Sequence, residues 1–323
     1  MDIQAQIQRA AQILKNGGVV AFPTETVYGL GANAFDEKAV AKIFETKRRP
    51  FFDPLILHIG DEGWLEELVT EVPPLARKLI EQIWPGPLTI VLPKKRIVSD
   101  IVTSGLPNVA VRMPLNNIAR QIVSAADLPI AAPSANLFGS ISPTTAAHVK
   151  EQLGDSVEMI VDGGPCAVGV ESTIVSFSGE KPVLLRPGGL ELEKIEEIVG
   201  PVEIPAPDEL INQSPGRGGQ HYAPRTPFRL VESSSDLADG KKTGVIVFSD
   251  KEKAFLPSGI AAVEVLSADG DIREAACNLF CAMRRLDSMK LDLIAALPIP
   301  TYGLGLAIND RLSRAAMKTG SDS

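Results

Sequence analysis

The first residues of the chain alternate between polar and apolar side chains at helical spacing. Between residues 3 and 14 the apolar positions recur every three or four residues, which places them on one helix face, and Asn16-Gly17-Gly18 ends the helix. The apolar run at 19–22 stops at Pro23 and predicts a short buried strand. A second helix is expected after Asp36, a residue suited to cap its N-terminus.

Short apolar runs and helical patterns continue to alternate to about residue 200. Further strands are expected over 55–59, 88–92, 109–113, 128–132, 157–161, 172–177 and 183–185. Further helices are expected over 73–84 with Leu75, Leu79 and Ile83 on one face, over 117–126, from Ser142-Pro143 to Gly154, and over 192–199. Because some strands follow one another without a helix, we expect an α/β domain around one large twisted sheet of mixed direction.

Residues 201–227 break this pattern. The segment contains six prolines and three glycines, so it cannot form a regular element, and its Arg217, His221 and Tyr222 favour a lid that docks onto something. After Phe228, strand and helix patterns alternate again, which predicts a small α/β domain. We therefore expect a first domain over 1–204, a Pro/Gly-rich linker acting as an active-site lid over 205–227, and a second domain over 228–323.

Composition restricts the ligand and the compartment. The chain has 323 residues, a formal net charge of −8 and 5% aromatic residues, which argues against broad binding of a nucleic-acid backbone and against a base-stacking platform. A local basic pocket for a small anion remains allowed. No stretch approaches the ~20 apolar residues that cross a bilayer. Three cysteines without framework spacing and the absence of a signal-peptide pattern predict a cytoplasmic protein.

Two polar motifs lie in the first sixty residues. Pro23 to Gly31 offers hydroxyls, a carboxylate and glycines after a strand, which indicates either a pocket for a small polar ligand or a Thr-rich turn that caps its own amides. Lys47-Arg48-Arg49-Pro50 leads three cations into a rigid turn suited to a polyphosphate, although the same cations could complement a helix end. His58 near the next strand's end could face a cleft or lie within the wall.

Two further motifs follow later strands. Ser134 and Asn136 lie on a loop among small residues, and Ser142 begins an expected helix whose free amides form an anion site or an ordinary cap. Arg112 and Arg186 end apolar strands, where arginine either pairs with a buried carboxylate or binds an anionic ligand. The sequence has no Walker A loop, dinucleotide fingerprint or zinc-ligand pattern.

Taken together, these motifs resemble the YrdC-like family in its two-domain form, the threonylcarbamoyl-AMP synthases. The resemblance rests on Thr24-Glu25-Thr26-Val27-Tyr28-Gly29-Leu30, Lys47-x-Arg49-Pro50 with Pro54-Leu55 and His58, Pro133-Ser134-Ala135-Asn136, Glu171-Ser172-Thr173, Arg186-Pro187-Gly188, and Ser214-Pro215-Gly216 with His221-Tyr222-Ala223-Pro224. It covers essentially the whole chain. It implies a YrdC-like twisted, mixed, open sheet with helices, followed by a smaller Rossmann-like α/β domain.

The resemblance also implies a reaction. L-threonine, bicarbonate or CO2 and ATP, with Mg²⁺, would give L-threonylcarbamoyl-AMP and pyrophosphate. A separate tRNA threonylcarbamoyl transferase complex would use the product for N6-threonylcarbamoyladenosine at position 37. No membrane partner is implied, and direct tRNA binding stays open.

Site residues carry over position by position. The resemblance implies that threonine is bound by Thr26, Tyr28, His58, Arg112, Ala132 and Ser172. It implies that ATP is bound by Lys47, Arg49, Asp53, Ser134, Asn136, Ser142, Arg186 and Tyr222. No covalent nucleophile is expected, His58 is hypothesised to relay a proton, and the metal ligands are unknown. Asp53 departs from the family, where Asn is common, and an ionised carboxylate would repel phosphate unless Mg²⁺ or amides offset it.

Three alternatives remain at this point. The basic turn could serve an RNA-binding module, or the fold could carry another ATP-dependent enzyme that forms a carbamoyl or acyl adenylate. The second domain could instead hold the active site, for which the 301–305 loop is the only conspicuous signal.

Overall fold

The computed structural model describes residues 2–206, 221–237 and 240–317. These form two compact units. The first contains residues 2–138, 143–167 and 171–206, and the second contains 139–142, 168–170, 221–237 and 240–317. Most of the predicted lid, residues 207–220, lies outside the described residues.

The first unit is built on one mixed sheet of nine strands among the described residues. The strands are Val20–Phe22 (β1), Gly29–Asn33 (β2), Ile56–His58 (β3), Leu88–Pro93 (β4), Asn108–Arg112 (β5), Ile130–Ala131 (β6), Met159–Ile160 (β7), Thr173–Ser176 (β8) and Val183–Arg186 (β9). Their order is β7-β1-β2-β6-β3-β5-β4-β8-β9. β1 and β7, β3 and β5, and β4 and β8 are parallel, and the other neighbours are antiparallel. The predicted mixed direction is confirmed.

Four of the helices described in the first unit begin at a side-chain cap that the sequence supplies: Asp2, Asp36, Asn116 or Thr145. The helices of this unit are Ile3–Lys15 (α1), Glu37–Lys47 (α2), Gly63–Leu68 (α3), Pro74–Ile83 (α4), Asp100–Thr103 (α5), Asn117–Ala126 (α6), Ala146–Leu153 (α7) and Leu192–Val199 (α8). The Asp36 carboxylate accepts the amides of Lys38 and Ala39 at 2.9 and 3.2 Å, as predicted for the cap of α2. α1 packs through Ile7, Ala11 and Leu14 into a core it shares with α6.

The structure corrects two helix predictions. α7 begins at Ala146 rather than at Ser142, because the Pro143 carbonyl accepts the Tyr28 amide at 2.9 Å instead of starting a helical ladder. Thr145 is the N-cap. The anion site expected from helix amides at Ser142 is therefore misplaced. In α4 the buried residues are Ala76, Leu79 and Ile80, while Leu75 is 39% exposed.

β2 was not predicted, because it contains two glycines, which are uncommon in strands. The segment Gly29–Asn33 has low intrinsic strand preference, and glycine in a strand marks a close approach. A Cβ on Gly31 would lie 2.6 Å from the Phe22 ring and 2.7 Å from the Ile130 side chain, so large neighbours fill the space. α3 and α5 were also missed; both are short helices of six and four residues.

The second unit carries a four-stranded, fully parallel sheet among the described residues. Its strands are Phe228–Leu230 (β10), Thr243–Val247 (β11), Ala262–Val265 (β12) and Leu293–Ala296 (β13), in the order β10-β13-β11-β12. Its helices are Asp250–Lys253 (α9), Ile272–Asp287 (α10) and Gly305–Ala316 (α11). This agrees with the predicted small α/β domain, except that β10 and the short helix α9 were not foreseen. Within the described residues, no helix combines the length and apolarity of a membrane span.

The corrected face of α4 makes a stability prediction. Leu79→Ala should lower the free energy of unfolding by about 2–5 kcal/mol, because a fully buried leucine leaves a cavity. Leu75→Ala, the matched control on the same helix, should cost less than about 1 kcal/mol. Urea unfolding of both variants measures the difference, and equal losses would show that the described face is wrong.

Candidate active site

The strand register places five polar side chains in one row across the first unit's sheet. His58 on β3 is directly opposite Arg112 on β5. Thr89 on β4 lies one position beyond the Ile90–Val111 pair and so faces Arg112, and Ile174 on β8 pairs with Arg186 on β9. Residues paired in this way share a face of the sheet.

Ser172 completes this row, two positions before Ile174 and hydrogen bonded to Thr89 at 2.8 Å. We call His58, Arg112, Thr89, Ser172 and Arg186 the polar row. With strands roughly 4.8 Å apart, four gaps give a row roughly 19 Å long. The five side chains, which are far apart in the sequence, thus lie in one row at one end of the sheet.

Arg112 is held by a buried carboxylate. Its terminal nitrogens donate to Glu25 Oε1 and, at 2.9 Å, to Thr26 Oγ1, and its Nε donates to the Gly86 carbonyl at 3.3 Å. The Glu25 and Arg112 side chains are only 6% and 4% exposed. The alternative left open by the sequence is thereby decided for this structure: Arg112 pairs with a carboxylate of its own chain.

Glu25 stays ionised in this pair. Burial alone would raise the pKa of its carboxyl, but the Arg112 guanidinium and nearby amides hold that pKa below the ordinary value of 4.5. Its second oxygen accepts the Leu115 and Asn116 amides at 3.1 and 3.3 Å. Glu25 therefore links the segment after β1 to the segment after β5.

The Arg112 guanidinium has donors to spare. It carries five N–H groups, of which three have acceptors among the described residues. One hydrogen remains on each terminal nitrogen. Two N–H groups in a fork match the two oxygens of a carboxylate.

Arg186 and Ser172 form the other end of the polar row. Arg186 donates from Nε and a terminal nitrogen to the Ser172 carbonyl at 3.2 and 3.0 Å, and to Ser172 Oγ at 3.2 Å. Gly188 permits this approach, because a Cβ there would lie 2.3–2.4 Å from backbone atoms of residues 171–173. The turn after β9 and the segment before β8 thus pack backbone to backbone.

Lys47 is buried at the end of α2 and supports a loop. Its Nζ donates to the carbonyls of Ser134 and Asn136 at 2.5 Å each, and its own carbonyl accepts the Phe138 amide at 2.9 Å. Burial and the Arg49 cation lower the pKa of Lys47 well below 10.5, while Asp53 and Glu171 act in the opposite direction. Lys47 ties the 134–138 loop to α2, and its contact with phosphate stays a prediction.

Arg49 and Asp53 close the basic turn on itself. An Arg49 terminal nitrogen lies 2.9 Å from Asp53 Oδ2, and both side chains are 3% exposed. The guanidinium also donates to the carbonyls of Asp53 and Pro54 at 3.0 and 2.8 Å. The repulsion that Asp53 would exert on phosphate is therefore offset by Arg49, which the sequence reasoning did not consider.

His58 is a neutral, buried imidazole. Burial, then the Arg112 cation, lower the pKa of His58 to about 3, although Glu25 opposes the shift. Its ring meets the Phe22 ring edge to face at 6.2 Å. Such a group orients a ligand by hydrogen bonding but is a poor proton acceptor at neutral pH, which weakens the hypothesis of a proton relay.

Tyr28 and Ala132 direct their hydrogen-bonding groups to other parts of the protein. The Tyr28 hydroxyl donates to the Gly164 carbonyl at 2.8 Å and accepts the Gly163 amide at 3.2 Å, and burial raises its pKa. The Ala132 amide donates to the Ile56 carbonyl at 2.9 Å. The Tyr28 carbonyl accepts the Ala135 amide at 2.8 Å, and Gly29 and Ser134 form a bridge, so the 23–31 motif is joined to the 131–136 motif.

Ser142 and Tyr222 belong to the second unit. Tyr222 has a left-handed backbone (φ 62°) and is 1% exposed. Its ring stacks on Phe280 at 5.7 Å and lies 5.2 Å from the Arg311 guanidinium. Ser140 and Ala223 form a bridge, which brings the segment of Ser142 beside that of Tyr222. The contact of Tyr222 with a nucleotide stays a prediction.

The described residues contain no group of three or more His, Cys, Asp or Glu side chains arranged for a metal ion. Asp53 and Glu171 are two buried carboxylates whose charges both act on Lys47. Mg²⁺ typically takes one or two carboxylates and completes its shell with water and phosphate oxygens. That a magnesium ion arrives with the nucleotide stays a prediction, for which Asp53 and Glu171 are carboxylates of the kind this ion takes. Cys166, Cys277 and Cys281 form no disulfide; Cys166 is buried, and the other two are half-buried.

Sequence reasoning did not assign Glu25, Thr89 or Glu171 to the site. Glu25 was visible as a carboxylate between two threonines, and its partner follows from the register of distant strands. The sequence signal for Thr89 is a lone hydroxyl in the apolar strand Leu88–Pro93.

The chain matches two protein-family models. The Sua5, YciO and YrdC model, described as telomere recombination, covers residues 12–188, and a model described as threonylcarbamoyl-AMP synthase, C-terminal domain, covers residues 190–317. The threonylcarbamoyl-AMP synthase of Pyrococcus abyssi is 44% identical over 96% of this chain and 94% of its own length. That of Bacillus subtilis is 42% identical over 96% and 93%.

A solved structure is similar over nearly the same extent. P. abyssi Sua5, crystallised as a complex with L-threonine, has a TM-score of 0.89 and 42% identity, covering 97% of this chain and 94% of that one.

The low pKa of His58 predicts a resonance that does not titrate in the physiological range. The unfolded chain takes up a proton on this ring below about pH 6.5, whereas the folded protein does so only near pH 3. Stability contributed by the neutral ring is therefore present above pH 6.5 and lost as the pH falls. NMR of the imidazole carbon-bound protons should show one signal unchanged from pH 8 to 5 and absent from His58→Gln. A midpoint near 6.5 for that signal would contradict the assignment.

Proposed function

We propose that this chain, which belongs to the threonylcarbamoyl-AMP synthase family, joins L-threonine, bicarbonate or CO2 and ATP. The products are L-threonylcarbamoyl-AMP and pyrophosphate, which makes the protein a nucleotidyltransferase. The polar row carries this proposal: a buried arginine with two unused hydrogens, flanked by hydroxyls, is a receptor for the carboxylate of an amino acid.

In this proposal the Thr26 hydroxyl binds the nitrogen of the amino acid. Thr26 Oγ1 already accepts from Arg112, and the neighbouring Thr24 hydroxyl donates to the Val27 carbonyl at 2.6 Å. The Thr24 oxygen also accepts the Thr26 and Val27 amides at 3.1 and 3.2 Å, so its proton and both lone pairs are used, and the 2.8 Å contact between the two hydroxyls has no assigned donor. Arg112 occupies one lone pair of Thr26 Oγ1, and the second lone pair can accept from an amino group.

The chemistry needs positioning more than a nucleophilic side chain. The unprotonated nitrogen of threonine adds to the carbon of CO2 and releases a proton, or attacks the carbon of bicarbonate and releases water. An oxygen of the resulting carbamate then attacks the α-phosphorus as pyrophosphate leaves. The carbamate is short-lived, so holding the reactants together contributes most of the acceleration. The polar row is almost wholly shielded from solvent, which protects the carbamate and the mixed anhydride from water.

ATP is assigned to the cations at the other motifs. Arg49 and Arg186 would meet the phosphates, and Ser134 would line the loop that Lys47 supports. When bound, Mg²⁺ would neutralise phosphate charge, with Asp53 and Glu171 as the carboxylates nearest to the cations. We place Asn136 in support of the Ser134 loop and Ser142 with Tyr222 at the nucleotide. The low pKa of His58 favours a role in orienting threonine over the proton relay.

The product is proposed to serve a tRNA threonylcarbamoyl transferase complex, and the compartment is proposed to be the cytoplasm. Membership of the family favours this enzyme over an RNA-binding module or another adenylate-forming activity.

Amino-acid-dependent release of pyrophosphate tests the function. The protein with ATP, Mg²⁺ and bicarbonate should release pyrophosphate with L-threonine and far less with L-serine, L-valine or no amino acid. Arg112→Lys should lower kcat/KM for threonine by roughly 10- to 100-fold, because a forked, charged hydrogen bond is lost. Lys78→Ala is the control, since this exposed cation lies outside the polar row and donates to the Ile198 carbonyl on α8. Release independent of the amino acid would overturn the proposal.

A further inference from the structure

Thr89 is a buried hydroxyl in the middle of the polar row to which the proposed function gives no individual role. It lies in the apolar strand β4 and is fully shielded from solvent. Its Oγ1 is 2.8 Å from Ser172 Oγ. Within the described residues the Thr89 hydroxyl has no other hydrogen-bond partner. Its one proton must therefore go to Ser172 or to nothing.

The direction of this hydrogen bond follows from counting protons in the proposed complex. If Ser172 donated to Thr89, the Thr89 proton would be buried without an acceptor, at a cost of about 1–3 kcal/mol. If Thr89 donates, the proton without an acceptor in the protein is that of Ser172, which is also buried. A ligand carboxylate accepts that proton, so only this arrangement leaves neither proton unsatisfied when the ligand is bound. Ser172 Oγ then accepts from both Thr89 and Arg186, which lies 3.2 Å away and can only donate. Both lone pairs of Ser172 Oγ are occupied, and its own proton is left to point at a ligand.

The pattern at Thr26 differs. Thr26 Oγ1 accepts from Arg112 and keeps a second lone pair, which can accept from the amino group of the ligand. Thr89 faces Arg112 in the sheet register. Thr26 and the Thr89–Ser172 pair are therefore both neighbours of the same guanidinium.

We propose that Thr89 is a positioning residue that keeps Ser172 Oγ as a hydrogen-bond donor to the carboxylate of the amino acid. Thr89 does not touch the substrate. It acts by supplying the proton that occupies the second lone pair of Ser172. This inference rests on the proposed function, since it names the group of that substrate which Ser172 recognises.

Removal of the Thr89 hydroxyl should show as a loss of affinity for the amino acid. In Thr89→Val, which keeps the shape of the side chain, Ser172 can rotate its proton into the space of the lost partner or onto water. KM for threonine should then rise roughly 10-fold, the value of one hydrogen bond to a charged group, while kcat changes by less than about 2-fold. Thr89→Ser restores the hydroxyl and should recover KM to within about 3-fold.

The experiment compares these two variants with Thr243→Val, the same chemical change at a buried threonine of the second unit. Threonine and ATP are each varied in the pyrophosphate assay, and melting temperature is recorded. A purely structural role would lower kcat and the melting temperature together and would leave KM for threonine unchanged. Combining Thr89→Val with Ser172→Ala completes a double-mutant cycle. If Thr89 acts through Ser172, KM for threonine should be no higher in the double variant than in Ser172→Ala.

The outcomes separate this inference from the proposed function. If the wild-type protein shows no threonine-dependent release, the proposed function fails. If it does but Thr89→Val keeps its KM, or Thr89→Ser fails to rescue, or the two substitutions add, the role of Thr89 is wrong. Should Thr89→Val not fold, Thr89→Ala takes its place, and the comparison with Thr89→Ser decides in the same way.

Discussion

The Glu25–Arg112 ion pair is the constraint on which the candidate site depends. Two charges removed from water must satisfy each other, and losing one partner of such a pair typically costs about 3–5 kcal/mol. Here the carboxylate also accepts the Leu115 and Asn116 amides, so the pair joins segments some ninety residues apart. Glu25 fixes the Arg112 guanidinium in place. One hydrogen on each terminal nitrogen of Arg112 has no acceptor among the described residues and is left for a ligand.

Much of the fold was readable from the sequence, because strands and helices are signalled by local pattern. The runs at 88–92 and 183–185 became β4 and β9 nearly as expected. β2 was missed since its glycines serve packing against Phe22 and Ile130 rather than strand preference. The start of α7 was misplaced because the Pro143 carbonyl has a partner 115 positions away along the chain, the Tyr28 amide. Long-range pairing is invisible to local signals.

For the candidate site, too, local pattern indicated which residues take part, whereas their interactions depend on long-range pairing. Residue types at strand ends pointed to Arg112, Arg186 and His58, and the structure sets all three in one row. Roles were harder to foresee than positions. Lys47 was expected at phosphate but binds two carbonyls, and His58 was expected to move protons but is held neutral by burial and a neighbouring cation. Such roles depend on solvent exposure and neighbours, which the register of the sheet decides.

A crystal structure with L-threonine and a nonhydrolysable ATP analogue tests the central claim most directly. The account predicts the threonine carboxylate about 2.7–3.0 Å from the terminal nitrogens of Arg112 with the Glu25 pair intact. It also predicts the threonine nitrogen on the Thr26 side and the α-phosphate within reach of a carbamate formed there. Threonine bound elsewhere, or Arg112 released from Glu25 in the complex, would contradict it.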